Sequence, residues 1–88
     1  MQLKNKYILR PVSDKVVAIA LEQGDQQTDN VITLNSTGAF IFGLVNDGAE
    51  KEEIVKKFFA EYNVTKSEAE EAINDFIENL SKAGLLAE

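Results

Sequence analysis

Hydrophobic and polar positions alternate with a period of two near the start of the chain and change to a helical period after residue 35. Tyr7-Ile8-Leu9-Arg10-Pro11-Val12 reads as a short first strand, and Pro11 lacks the amide donor that an interior strand needs, which puts it at an edge or a strand end. Lys15 to Leu21 is a denser β-branched run, with Val17, Ile19 and Leu21 on one face and Val16, Ala18 and Ala20 on the other, and we expect one face to meet the core. The polar stretch Glu22 to Asn30 contains a glycine and reads as a hairpin loop. Val31-Ile32-Thr33-Leu34 is the returning third strand, with Ile32 and Leu34 as its core pair.

From Ser36 onward Phe40, Ile41, Leu44 and Val45 fall on one helical stripe, with Phe42 flanking it. Asn35 and Ser36 can each cap this helix, and Asn46-Asp47-Gly48 closes it. Gly38 and Gly43 let another element come close to its backbone. A second helix, Glu50 to Tyr62, has acids in its first turn and Ile54, Val55, Phe58, Phe59 and Tyr62 at core spacing. Either Thr65 with Glu68 or Ser67 with Glu70 supplies a capping box for a third helix. On that helix Ala69, Ala72, Ile73, Phe76, Ile77, Leu80 and Ala83 form one apolar face, and Gly84 offers a C-terminal cap. The expected fold is α+β: a three-stranded antiparallel sheet followed by three helices, in a winged helix-turn-helix layout.

Composition narrows the chemistry. The 88 residues suit one small core, so residues 1–88 are expected to form a single domain. The sequence holds no Cys and no His, which removes thiolates, disulfides and the commonest neutral-pH base and metal ligand. No long apolar run follows the charged start, so neither a secretory signal nor a membrane span is expected, and the cytosol is the expected compartment. A net charge of -6 opposes phosphate backbones and anionic lipid surfaces.

No catalytic constellation can be assembled from the remaining carboxylates, hydroxyls, lysines and tyrosines, so the chain reads as a non-enzyme with no cofactor. Glu68, Glu70, Glu71, Asp75 and Glu78 follow the outer face of the third helix, where acids are ordinarily just solvated. As a recognition helix it would carry lysines only at Lys66 and Lys82, with acids along the docking face, which argues against duplex DNA. The remaining feature is an exposed strand edge at Val31 to Leu34 beside an amphipathic helix, an arrangement suited to strand addition by a guest peptide. The residues alone leave two further options: an ordinary edge that binds nothing, and an acidic winged-helix module that binds proteins through its helices. The same edge could pair with its own copy in a homodimer.

Leu34-Asn35-x-Thr37-Gly38-Ala39-x-Ile41-Phe42-x-Leu44, then Asp47-Gly48, Glu53-Ile54-Val55 and the Tyr62-Asn63-Val64 break, resemble the PqqD-like family of peptide-binding domains. The resemblance runs from Tyr7 to Leu86, with Phe42 where the family usually has Trp and Lys66 where a proline is common. It implies a non-catalytic peptide chaperone, or recognition element, for ribosomally made and post-translationally modified peptides. Such a chaperone binds the leader of a precursor peptide and presents it to a modifying enzyme, often a radical S-adenosylmethionine enzyme. It further implies a guest strand on Val31, Ile32, Thr33 and Leu34, with groove side chains Ala72, Asp75, Phe76 and Asn79 from the third helix.

Overall fold

Alternation and β-branching produce β1 (Tyr7–Val12), β2 (Lys15–Ala20) and β3 (Val31–Leu34) in the computed structural model, which describes residues 2–21 and 31–87. The expected loop from Glu22 to Asn30 lies outside the described residues. The three strands pair antiparallel in the order β1-β2-β3, which leaves β1 and β3 as the two edges. Ser13, with φ 59°, turns β1 into β2 in two residues, and Val12 faces Lys15 across the turn.

The register decides which backbone groups are free. Leu21 N–H donates to Lys6 C=O at 2.8 Å, so even-numbered residues of β1 bond to odd-numbered residues of β2. The even-numbered residues of β2 therefore turn their amides toward β3, where Val16 faces Leu34 and Ala18 faces Ile32. Ile32 and Leu34 spend their backbone groups on β2. Val31 and Thr33 turn theirs outward, to the open side of the sheet.

The other edge is blocked at both ends. On β1 the outward positions are Tyr7, Leu9 and Pro11, and Pro11 has no donor to offer. The Asn46 carboxamide takes both groups of Tyr7: Tyr7 N–H donates to Oδ1 at 3.0 Å and Nδ2 donates to Tyr7 C=O at 2.8 Å. A proline at one end and a side-chain amide at the other leave β3 as the available edge.

Three helices follow: α1 (Ser36–Asn46), α2 (Lys51–Glu61) and α3 (Lys66–Lys82). Asn35, not Ser36, caps α1, accepting from Gly38 N–H at 2.7 Å. Thr65 and Glu68 form the capping box of α3, bonding reciprocally at 3.1 and 2.8 Å. Both α1 and α3 end in the same motif, with Gly48 and Gly84 at φ +88° and +75°. The following residue closes each by a bond five residues back, Ala49 to Leu44 and Leu85 to Leu80, both at 3.0 Å.

The core gathers Tyr7, Ala18 and Ala20 from the sheet with Ile41, Phe42, Val45, Ile54, Phe58, Ala69, Ile73 and Leu80 from the helices. Phe42 is fully buried, edge-on to Tyr7 at 5.2 Å, so it stands at the centre of the core and not on its flank. The reason is that α1 packs against the sheet and both other helices and buries more than one stripe. Phe40, at the side, packs instead edge-on to Tyr62 and tilted against Phe58. Two expected core members are exposed. Phe59 sits beyond the stripe that α2 turns inward, and Ala83 lies past the last packed turn of α3. Gln2 to Lys4 pairs with Leu85 to Ala87, through Lys4 N–H to Leu85 C=O at 2.8 Å and Ala87 N–H to Gln2 C=O at 2.9 Å. This long-range pairing buries Leu85 and Leu86 and has no local signal in the sequence.

Candidate peptide groove beside the open edge

The position of α1 creates the site. Each strand and each helix leans on α1, while β3 and α3 do not pack backbone to backbone, so a cleft runs between them. Its floor is the start of α1. A Cβ at Gly38 would lie 3.1 Å from Asn35 Oδ1, 3.5 Å from Phe76 Cε2 and 3.7 Å from Leu34 Cδ2, so cap, strand and helix converge on the missing side chain. The resulting groove holds about 410 Å³ and opens along the side of β3 that has no strand partner.

Six of the eight residues expected at a peptide site line this groove: Thr33, Leu34, Ala72, Asp75, Phe76 and Asn79. Val31 and Ile32 do not line it. Val31 is exposed and belongs to the free edge through its outward backbone groups, and its side chain stands on the outer face of the sheet beside Ile19. Ile32 is different: its amide and carbonyl face β2 and its side chain packs on the core, so the register leaves it no backbone bond for a guest. The same holds for the backbone of Leu34, whose contribution is its side chain in the groove wall. The β3 backbone groups left open to a further strand are thus those of Val31 and Thr33, not of all four residues.

Sequence reasoning missed the floor. Asn35, Thr37, Gly38 and Ile41 line the groove as well, although the junction from Leu34 to Ala39 reads as a strand end and a helix start. The available signal was adjacency, because residues that end an edge strand necessarily border whatever docks on it.

The groove is mostly apolar or neutral, and Asp75 is the one charged residue among those that line it. A larger depression of about 700 Å³ lies between α2 and the start of α3, around Val55, Phe59 and three lysines, but no strand edge borders it. Among the described residues no cluster of acids could hold a metal ion, and no helix is long and apolar enough to cross a membrane.

Comparison with known proteins adds to the geometry. The family model described as coenzyme PQQ synthesis protein D (PqqD) matches residues 16–86. TbiB1, solved in complex with the TbiA(beta) leader peptide, is 29% identical with a TM-score of 0.73, covering 99% of this chain and 95% of that one. A lasso peptide synthetase B1, solved with the leader peptide, shares the fold at 22% identity and a TM-score of 0.68, over 94% and 92% of the two chains. No curated protein matches the sequence.

Proposed function

Because the chain belongs to the PqqD family, we propose that it is a non-catalytic peptide chaperone that binds the leader of a ribosomally made precursor peptide. The leader adds to β3 as a fourth strand, bonded through Val31 and Thr33, and the chaperone presents the peptide to a modifying enzyme. The observation that carries this reading is the coincidence of the β3 edge, open among the described residues, with a groove directly beneath it. A guest strand there satisfies the backbone of β3 while alternate side chains drop between Leu34 and Phe76. The leader-bound state of TbiB1, a protein of the same fold, supports it.

With no Cys, no His and no catalytic constellation evident in the sequence, the modifying chemistry is assigned to the partner enzyme. Following the family resemblance, that partner is taken as a radical S-adenosylmethionine enzyme, met in the cytosol. Residues 1–88 act as one domain. In the absence of peptide the open edge can pair with a second copy, so that self-pairing and leader capture exclude one another; leader peptide then converts any dimer to monomer in sedimentation experiments.

The direct test is titration of the labelled protein with the leader of the precursor peptide that co-purifies with it. Amide resonances of Val31 to Leu34 and of Ala72, Asp75, Phe76 and Asn79 should shift together. Shifts confined to α2, or none at saturating peptide, overturn the assignment.

A further inference from the structure

The Asp75 side chain is exposed and makes no hydrogen bond or ion pair among the described residues. It also sits among like charges. Glu71 lies one turn before it on α3 and Glu78 almost one turn after, and of these Glu78 is neutralised by Lys82 at 3.2 Å. A carboxylate with an acidic neighbour at i−4 is mildly unfavourable in a helix, and no cation among the described residues pairs with it. Solvation explains the other acids of α3, but Asp75 alone projects to the lining of the groove, where a bound strand excludes water from one side.

The dimensions fix what meets it. From Ala72 to Asn79 the helix rises about 10 Å at ~1.5 Å per residue. Same-side residues of an extended guest repeat every ~6.7 Å, so the groove takes about two of them in succession. With one of them on the apolar surface of Leu34, Gly38, Ile41 and Phe76, the other is left the polar part of the lining, where Asp75 is the charged residue.

We propose that Asp75 sets the specificity of the groove for extended peptides that place a lysine or arginine two residues from the apolar side chain seated against Phe76. This inference rests on the peptide-binding reading above and adds the chemistry of the peptide to it. An acidic residue at the same position meets the Asp75 carboxylate and is rejected, so the discrimination uses repulsion as well as attraction.

The test needs no knowledge of the natural leader. A randomised display library of linear peptides about twelve residues long, enough at ~3.3 Å per residue to overrun the groove, is selected on the full chain. The inference expects enriched peptides to pair an apolar residue with Lys or Arg at a spacing of two. Asp75→Asn should weaken such peptides about two- to fivefold, the range for an exposed rim ion pair, and leave the apolar preference. Asp75→Lys should convert the preference to Asp or Glu. Glu71→Gln makes the same change in net charge as Asp75→Asn and should leave the preference unchanged, which separates contact from long-range attraction by an acidic protein. Peptides that share the apolar residue but show no cation, or a preference that survives Asp75→Asn, overturn the role of Asp75 while leaving the peptide chaperone intact. Failure to enrich any peptide, or enriched peptides whose binding is indifferent to Thr33→Pro, overturns the chaperone reading and this inference with it.

Discussion

Thr33→Pro removes one hydrogen atom from the place where the account puts a guest strand, and the register shows what else it disturbs. Thr33 faces Val17 as a pair that exchanges no backbone bonds, so its N–H contributes nothing to the sheet. The side chain is exposed, and the residue before it, Ile32, already has the extended conformation that a following proline demands. The unliganded protein should therefore lose only about 1 kcal/mol, the scale of one strand preference and one cross-strand contact. Binding should suffer far more. The guest loses one backbone hydrogen bond, at about 1 kcal/mol net, and its carbonyl is left desolvated and unpaired at about 1–3 kcal/mol. A total of about 2–4 kcal/mol weakens the complex about 30- to 1,000-fold. Two companion variants calibrate the result. Ile32→Pro removes an amide bonded to β2 and should cost about 3 kcal/mol of folding stability, whereas Thr33→Val keeps the amide and should bind nearly as the parent does. Titration calorimetry with the leader and thermal melts of the three variants measure both quantities. The reasoning is refuted if Thr33→Pro binds within threefold of the parent, or if it unfolds as readily as Ile32→Pro.

Two further perturbations test the frame that holds the edge open. Asn46→Leu strips Tyr7 of both partners, formed at 3.0 and 2.8 Å, and two unpaired, partly buried backbone groups should cost about 1–3 kcal/mol in urea unfolding; a change under ~0.5 kcal/mol contradicts the edge-closing role. The same variant opens the β1 edge and should raise self-association on a sizing column. Gly43→Ala has room, with Leu9 Cδ2 at 3.9 Å from the added carbon, and should stabilise by about 1 kcal/mol and raise Tm by about 4–8 °C; a lower Tm shows that Gly43 is held for close packing after all.

The capping signals were legible because they are local. Asn35, the Thr65 and Glu68 box, and Gly48 and Gly84 each act within a few residues, and the strands and helices end within one residue of where those signals and the periodicity put them. The stripe on α1 was misjudged because a helix packed on several sides has no single inward face, which is why Phe42 and not Phe40 became the centre. Asn46 read as part of a helix stop, while its partner, Tyr7, is 39 residues away. The pairing of Gln2 to Lys4 with Leu85 to Ala87 is longer still in sequence and equally silent.

The candidate site was legible in outline and not in its hydrogen bonding. Pattern and resemblance together pointed to β3 and one side of α3, and six of those side chains line a single groove. Which β3 residues offer their backbone depends on a register that propagates from the Ser13 turn through two strand pairs, and no property of Val31 to Leu34 themselves encodes it. Asp75 illustrates the converse. In sequence it is one acid among five on α3, and only its place beside Phe76 at the groove distinguishes it.

Amide hydrogen exchange with and without the leader peptide tests the central claim most directly, because the account assigns opposite behaviour to alternate residues of one strand. Ile32 and Leu34, bonded to β2, should exchange slowly in both states, while Val31 and Thr33 should exchange fast alone and slow about fivefold or more when the peptide is bound, the scale of one new net hydrogen bond. Unchanged exchange at Val31 and Thr33 in a saturated complex, with protection appearing on α2 or the β1 edge instead, would contradict it.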